Sequence, residues 1–288
     1  MNASNERVAV ITGAAGGLGS AMAEEFLREG ANVVLVDLAG DRLQRLTESL
    51  DLPDERVMSW TGDITDEDAV SRLAAATRER FGHCDVLVNN AGILGSPGPL
   101  AELSSAVWNQ TLAVNLTAAM LCTRELGRLM IAQRSGAIVN ITSVGAHSPN
   151  TSPAYGVSKA GLVALTRHTA VEWGPLGIRA NAVSPGFVMT EMSAPHYADL
   201  DLLALRTQLT PARRIGAAKD IAAAVLYLAG DRAAFVNGQE LVVDGGFLSA
   251  PLMHVQRHAD QYGGHSAPDP GVFERQLRFS ASPELDGM

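Results

Sequence analysis

A tyrosine and a lysine four residues apart are the pair in this sequence best suited to acid–base chemistry. Tyr155 and Lys159 open a proline-free stretch, 155–173, that predicts one long helix closed by Gly174 and Pro175. Side chains at positions i and i+4 lie on the same helix face. A phenol titrates at about pH 10, and a neighbouring ammonium favours the phenolate. We therefore expect Lys159 to lower the pKa of Tyr155 and to make Tyr155 a usable general base. Standing alone, the spacing would more often mark an amphipathic helix face.

A glycine-rich turn predicts a phosphate site earlier in the chain. Residues 12–19 read Thr-Gly-Ala-Ala-Gly-Gly-Leu-Gly, after an apolar run and at the start of a helical pattern. Glycines let the backbone approach a pyrophosphate, and a helix N-terminus offers unpaired amides. Asp37 closes the next apolar run, where a carboxylate can accept both adenosine ribose hydroxyls and would repel the extra phosphate of NADP. The nearest arginine, Arg42, lies a helical turn further on, so the sequence favours NAD.

Seven short apolar runs must position these residues. They cover 7–12, 32–37, 57–62, 86–89, 137–142, 179–184 and 240–244, and they are apolar throughout rather than alternating, as is typical of strands covered on both faces. Helical spacing lies between them: Leu18, Met22 and Phe26 form one stripe, and Thr65 is the expected N-cap of a later helix. The pattern predicts an α/β fold, a Rossmann-like doubly wound seven-stranded parallel sheet of order 3-2-1-4-5-6-7 flanked by helices.

Composition excludes several classes of function. The chain has 288 residues, 47% of them hydrophobic, and 22 Lys+Arg against 31 Asp+Glu leave a net charge of −9. This balance argues against a nucleic-acid partner and an anionic membrane surface. No apolar run approaches the length of a bilayer span, and no secretory signal is recognisable. Two cysteines, Cys84 and Cys122, form no disulfide framework. We expect a soluble, cytoplasmic protein.

The pattern changes near residue 249. We expect one domain over 1–248 and a polar C-terminal extension over 249–288, either a disordered tail or an arm that packs on a neighbouring subunit and borders its substrate pocket. His254, His258 and His265 lie in this extension. Histidines at i and i+4 could share a metal, but no acidic or cysteine partner at suitable spacing completes a site. We therefore expect no metal.

Five motifs in register resemble the single-domain short-chain dehydrogenase/reductase family, over residues 7–248. They are Thr-Gly-x-x-x-Gly-x-Gly at 12–19, Asn89-Asn90-Ala91-Gly92, Ser143, Tyr155-x-x-x-Lys159 and Pro185-Gly186. The resemblance implies an NAD(P)-dependent oxidoreductase that acts on the CH–OH group of an alcohol or on a carbonyl. It also implies a homo-oligomer, a tetramer or a dimer, in which the helices beginning near Ser104 and Tyr155 and the last strand form contacts.

The resemblance also implies a role for each matching residue. Tyr155 would be the general acid/base, Lys159 would also bind the nicotinamide ribose, Ser143 would hydrogen-bond the reacting oxygen, and Asn115 would support a water-linked proton relay. The implied cofactor contacts are Thr12, Gly13, Gly17, Leu18, Gly19, Asp37, Asp63, Ile64, Asn90, Gly92, Val188 and Thr190, together with Tyr155 and Lys159.

The substrate signal is weaker. We expect the pocket to be bordered by 93–100, 144–152 and 191–209, where the first two segments contain one ionisable residue, His147, which fits a solvent-facing loop equally well. The sequence favours a neutral, fairly apolar secondary alcohol or ketone. Two alternatives remain open: an epimerase or dehydratase of the wider superfamily, since Gly13, Gly16 and Gly19 also fit its glycine pattern, and a non-catalytic NAD-binding regulator on the same fold.

Overall fold

Seven parallel strands form one sheet in the computed structural model, which describes residues 7–50, 55–191 and 193–251. The strands are β1 (Val8–Thr12), β2 (Asn32–Asp37), β3 (Val57–Thr61), β4 (Val86–Asn89), β5 (Gly136–Ile141), β6 (Ile178–Pro185) and β7 (Glu240–Val243). Their order is β3-β2-β1-β4-β5-β6-β7, and every neighbouring pair is parallel. The predicted Rossmann-like doubly wound fold is therefore confirmed.

Helices cover both faces of this sheet. They are α1 (Gly17–Arg28), α2 (Gly40–Ser49), α3 (Glu67–Phe81), α4 (Ser105–Leu112), α5 (Ala118–Gln133), α6 (Pro153–Trp173), α7 (Ala194–Tyr197), α8 (Leu200–Leu209) and α9 (Ala218–Ala229). A π-helical turn, Ala113–Thr117, joins α4 to α5. Short 3₁₀ turns lie at Leu100–Glu102, Val144–Ala146, Gly174–Leu176, Asp231–Ala233 and Phe247–Ser249, and the two-residue strands Val188–Met189 and Gly216–Ala217 pair with each other.

The core consists of one apolar layer on each face of the sheet. Ile11 of β1 packs with Met22 and Phe26 of α1, whereas Val10 packs on the opposite face with Leu73 of α3. The predicted stripe on α1 is thus confirmed, since Met22 and Phe26 are buried and Leu18 packs against the same layer. β1 is buried at every position, while the edge strands β3 and β7 are partly exposed.

Two local predictions need correction. The N-cap of α3 is Asp66, whose carboxylate accepts the Asp68 amide at 3.0 Å, and Thr65 instead donates to Asp63. A carboxylate is favoured at this place because it also faces the positive end of the helix dipole. The long helix α6 begins at Pro153, two residues before Tyr155, because the fixed φ of proline suits the first helical turn.

Parallel strands place all their carboxyl ends at one edge of the sheet, where open α/β sheets bind ligands. Thr12, Asp37, Asn89 and Pro185 end their strands there, and Ser143 follows two residues after β5. His254, His258 and His265 lie outside the described residues, as does the extension from residue 252 on, so the division at residue 248 stays a prediction. None of the helices in the described ranges is long and apolar enough to cross a bilayer.

Candidate active site

The glycine turn and the Asn89–Gly92 segment are joined by side-chain hydrogen bonds. The Thr12 hydroxyl accepts the amides of Asn90 and Ala91 at 3.0 and 3.1 Å. The Asn90 side chain donates to the carbonyls of Thr12 and Gly13 at 2.9 and 3.0 Å. Two segments that are 77 residues apart in sequence therefore hold one shape, and both side chains are engaged by the main chain of the other segment.

Close packing explains two of the glycines in the turn. Gly13 has φ +63°, and a Cβ atom there would lie 2.8 Å from the Cα of Ala91. A Cβ atom at Gly19 would lie 2.2 Å from the carbonyl oxygen of Gly13. Gly16, the N-cap of α1, gives the helix no side-chain cap. The first-turn amides of Gly17, Leu18 and Gly19 thus face this edge without a capping side chain and can bind an anion.

Asp37 is held by two backbone amides. One carboxylate oxygen accepts Ala15 N and the other accepts Ala39 N, each at 3.0 Å. A carboxylate oxygen can accept more than one hydrogen bond, so both oxygens retain capacity for ribose hydroxyls. Arg42 lies nearer than its sequence position suggests: it donates to Ala15 O at 3.1 Å and forms an ion pair with Glu191.

The remaining predicted cofactor positions surround this turn. A Cβ atom at Gly17 would lie 3.3 Å from Cβ of Thr190, whose hydroxyl is paired with Ser193. Val188 is buried. Asp63 accepts the Thr65 amide at 2.8 Å, and Ile64 packs against the apolar layer that contains Val10 and Leu73. A glycine turn that excludes side chains, an uncapped helix start and a fixed strand-end carboxylate together fit a dinucleotide cofactor.

Ser143, Tyr155 and Lys159 meet beside this turn. Lys159 Nζ is buried, donates to the carbonyl of Ile141 at 2.8 Å and lies 5.7 Å from the ring centroid of Tyr155. Ser143 Oγ accepts the Gly145 amide at 3.0 Å, and the Ser143 side chain hydrogen-bonds the Tyr155 phenol. A Cβ atom at Gly92 would lie 3.3 Å from Lys159 Nζ. The structure thus brings the predicted catalytic group and the Asn89–Gly92 segment together.

The electrostatics of the pair differ from the prediction. Burial lowers the pKa of Lys159 to about 8, because an ammonium loses hydration inside the protein. Burial also raises the pKa of Tyr155, and the Ser143 hydrogen bond offsets this only in part. The expected lowering of the Tyr155 pKa by Lys159 is therefore wrong for this chain.

Asn115 lies in the π-helical turn and is engaged through its whole amide. Its Oδ1 accepts Ile93 N at 2.8 Å, and its Nδ2 donates to Ile93 O at 2.9 Å and to Ser158 Oγ at 3.0 Å. Ser158 in turn donates to the carbonyl of Tyr155 at 2.7 Å. Asn115 thus ties the segment after β4 to α6. Sequence reasoning missed Ser158, although its place three residues after Tyr155, on the same helix face, was the available signal.

Comparison with known proteins agrees with this geometry. A family model described as enoyl-(acyl carrier protein) reductase matches residues 13–248. Cis-4-hydroxycyclohexanecarboxylate dehydrogenase of Sinomonas cyclohexanicum is 41% identical over 245 residues, which are 85% of this chain and 97% of that protein. A Bradyrhizobium diazoefficiens protein named "probable short-chain type dehydrogenase/reductase" is 40% identical over 265 residues, 90% of this chain and 92% of that one.

The chain belongs to the short-chain dehydrogenase/reductase family. It is an oxidoreductase of that family, and its fold resembles the crystal structure of an NAD⁺-bound xylitol dehydrogenase. The two superpose with a TM-score of 0.78 at 31% identity, over 83% of this chain and 98% of that one.

Within this family member, His147 is held by a carboxylate from the edge strand. His147 Nε2 lies 2.7 Å from Oε1 of Glu240, whose side chain is only 9% exposed. Ser184 donates to the same oxygen, and its hydroxyl also contacts that of Thr142. The hydrogen bonds thus run from Thr142, next to Ser143, through Ser184 and Glu240 to His147. They fix both ends of the turn that follows Ser143. The sequence could not show this pairing, because 93 residues separate His147 from Glu240.

The buried ammonium predicts a cost in stability. Below pH 8, Lys159 is charged in both states, but its charge is buried in the folded chain and hydrated in the unfolded chain. Between the folded pKa of about 8 and the ordinary pKa of 10.5, the unfolded chain binds more protons than the folded chain. Stability due to this group therefore rises with pH across that window. We expect Lys159→Met to raise the free energy of unfolding at pH 7 by about 1–2 kcal/mol, an upper limit of about 3 kcal/mol being reduced by the lost hydrogen bond. Urea titrations of both chains from pH 7 to pH 10.5 measure the difference, which should shrink above pH 8 and reverse in sign at the alkaline end, where only the lost hydrogen bond to Ile141 remains.

The exposed Lys219 gives the matched control. Lys219→Met also removes one lysine charge, but from the surface rather than the interior. Its free energy of unfolding should therefore stay close to that of the parent chain at every pH. If Lys159→Met instead runs parallel to the parent across the whole pH range, the ammonium carries no burial cost.

The carboxylate of Glu240 gives a second prediction. Glu240→Ala leaves Ser184 and His147 without their shared acceptor, and unpaired buried groups cost about 1–3 kcal/mol. We expect that loss in urea unfolding together with a fall in kcat/KM as the turn at Ser143 loosens. Glu240→Gln keeps an acceptor oxygen and should restore most of both. Equal damage from the two substitutions would show that negative charge, rather than hydrogen-bond acceptance, is what the turn requires.

Proposed function

We propose that this chain is an NAD(H)-dependent dehydrogenase that interconverts a secondary alcohol and a ketone by hydride transfer, with Tyr155 as general acid/base. The observation that carries the proposal is the meeting of Ser143, Tyr155 and Lys159 at the carboxyl end of β5, beside a glycine turn that fits a dinucleotide. The comparisons support the reaction class, since their names include a dehydrogenase of a cyclic hydroxy acid and an NAD⁺-bound xylitol dehydrogenase. The intact catalytic set gives no support to a non-catalytic regulator.

The side chains divide the work on the substrate. Ser143 has its oxygen fixed by the Gly145 amide, so its own proton can be donated to the reacting oxygen and orient it. Tyr155 takes the hydroxyl proton when an alcohol is oxidised and returns it when a ketone is reduced. Bound NAD supplies the acceptor or donor for the hydride on the carbinol carbon. Lys159 and the glycine turn are placed to hold that cofactor, and Asn115 would support the proton relay by positioning α6.

The pKa directions bear on this division. Because burial raises the pKa of Tyr155, the phenol is the resting form of the free chain near neutral pH. It is therefore ready to donate a proton in ketone reduction, whereas oxidation needs the phenolate. Oxidation should accordingly be favoured by alkaline pH relative to reduction.

The preference for NAD is argued from Asp37 and Arg42. The Asp37 carboxylate is fixed by two amides where adenosine ribose would bind, and it would repel a phosphate on that ribose. Arg42 is the cation that approaches this place, but its charge is paired with Glu191. The negative charge of Asp37, next to an arginine whose charge is already paired, favours NAD over NADP.

Removal of the phenol tests the acid/base assignment. We expect Tyr155→Phe to lower kcat by 10²-fold or more, because general acid–base catalysis contributes about 10²–10⁴-fold. NADH binding, measured by fluorescence titration, should persist because the glycine turn and Asp37 are untouched. A Tyr155→Phe chain that retains most of its turnover would contradict the assignment.

Cofactor choice is tested by exchanging the charge next to β2. Asp37→Ala combined with Leu38→Arg removes the repulsive carboxylate and adds a cation at a position that is 70% exposed. We expect the ratio of the dissociation constants for NADP⁺ and NAD⁺ to fall by at least about tenfold, the effect of roughly 1.4 kcal/mol. Asp41→Ala, which removes an exposed carboxylate from the first turn of α2, is the control and should leave the ratio unchanged. An unaltered ratio in the double variant would refute the ribose argument.

A homo-oligomer, tetramer or dimer, is part of the same proposal. Val171 and Val157 of α6 are 80% and 49% exposed, and Leu241 and Val242 of β7 are partly exposed as well. Exposed aliphatic residues on those two elements are what the expected subunit contacts would cover. The cytoplasmic location and the packing of the extension on a neighbouring subunit likewise remain proposals.

A further inference from the structure

An arginine of α8 lies over two aromatic rings near the sheet edge. The guanidinium carbon of Arg206 is 4.9 Å from the ring centroid of Phe187 and 5.3 Å from that of Tyr197. Phe187 is supported from another side by Phe247, with centroids 4.8 Å apart. The aromatic contacts hold a flexible cation in one place, because guanidinium planes are attracted to ring faces.

The register of the strands places this arginine near the catalytic group. Ile141 of β5 pairs with Val183 of β6, so Ser143 lies level with Pro185, and Phe187 follows two residues later. Neighbouring strands are about 4.8 Å apart and residues along a strand about 3.3 Å apart. Phe187 therefore starts within about 10 Å of Ser143, and the guanidinium over its ring lies within about 17 Å.

Arg206 retains donors that the structure does not use. A guanidinium has five N–H donors, and Arg206 hydrogen-bonds the hydroxyl of Tyr197. In the part of the chain that the structure describes, no carboxylate forms an ion pair with Arg206, whereas Arg7, Arg42, Arg124 and Arg214 each have an acidic partner. Contacts with ring faces leave in-plane N–H groups free, and two parallel in-plane donors match the two oxygens of a carboxylate.

His147, the other cation candidate near the pocket, is already committed. Its Nε2 faces Glu240, so it is poorly suited to bind an anion. Arg206 is thus a positive group of α8 with unused donors, in the segment 191–209 that the sequence predicts to border the substrate pocket.

We propose that Arg206 binds a carboxylate of the substrate, so that the substrate is a secondary alcohol or ketone carrying a carboxylate several bonds away from the reacting carbon. The proposal rests on the dehydrogenase function proposed above. It replaces the sequence-based expectation of a neutral substrate with an anionic one. Arg206 fixes the far end of the substrate while Ser143 and Tyr155 hold the reacting oxygen.

Matched ketones that differ only in charge test this assignment. The probes are levulinate and its straight-chain homologues up to four methylenes longer, each paired with its primary amide, and the readout is NADH consumption by the full chain. For each pair, the carboxylate preference is kcat/KM for the acid divided by kcat/KM for the amide. We expect the parent chain to prefer the acid by at least about tenfold at the best chain length, since a hydrogen bond to a charged group contributes about 1.5–3 kcal/mol.

Variants at Arg206 connect the preference to this side chain. Arg206→Gln should reduce the preference by about 10- to 100-fold. Arg206→Lys should give an intermediate value, because a lysine keeps the charge and loses the two-pronged geometry. Arg232→Gln removes an exposed positive charge from a 3₁₀ turn elsewhere and should keep the parent preference. NADH binding by fluorescence titration shows that each variant is folded.

The outcomes separate the two levels of the proposal. If the parent chain turns over none of these compounds, nor any other secondary alcohol or ketone, cyclic ones included, the dehydrogenase function itself is overturned and the anion site falls with it. Only the anion site is overturned if the parent chain reduces amides and acids with equal kcat/KM, or if folded Arg206→Gln keeps the parent preference. A preference that disappears in Arg206→Gln and survives in Arg232→Gln supports it.

Discussion

The burial of one ammonium group governs the arrangement of this site. Lys159 Nζ lies in the interior and donates to the end of β5 through the carbonyl of Ile141. Removing a charge from water is unfavourable, and here the lowered pKa expresses that cost. α6 runs against β5 to bring the group there, and glycine at residue 92 leaves it room, because a Cβ atom there would lie a tight 3.3 Å from Nζ. The same helix also carries Tyr155 and places it beside Ser143.

Most of the motif residues act by shaping the backbone. Thr12 and Asn90 bind each other's main chain, and Asn115 uses its whole amide on Ile93 and Ser158. Buried or half-buried polar groups need partners, and these pairs satisfy them while holding loops in one shape. Ser143 and Tyr155, by contrast, hydrogen-bond each other, and they are the residues proposed to react. The hydrogen-bond partners of each side chain distinguish the residues that hold the loops in shape from those proposed to react with the substrate.

The sequence predicted what depends on short-range periodicity. Apolar runs located all seven strands of the main sheet to within about a residue or two, and the glycine turn, Asp37 and the Tyr155–Lys159 spacing located the site. It could not predict what depends on burial or on contacts between distant segments. The pKa of Tyr155 moved in the direction opposite to expectation because burial outweighs the hydrogen bond from Ser143. The pairing of His147 with Glu240 and of Arg42 with Glu191 requires a three-dimensional register that spacing alone does not contain.

Backbone hydrogen bonds of the sheet hold the Ser143 region in place, whereas side-chain contacts hold the α7–α8 segment. The catalytic atoms follow strands whose positions are set by ladder hydrogen bonds between β1, β4, β5 and β6, so a shift of one residue would disturb the whole sheet. The α7–α8 segment is held by side-chain contacts, those of Arg206 and Tyr197 among them. Contacts of that kind can change one residue at a time without moving a strand. In the function proposed here, the hydride chemistry is therefore tied to the sheet, whereas the proposed substrate contact lies in a segment that can vary independently of it.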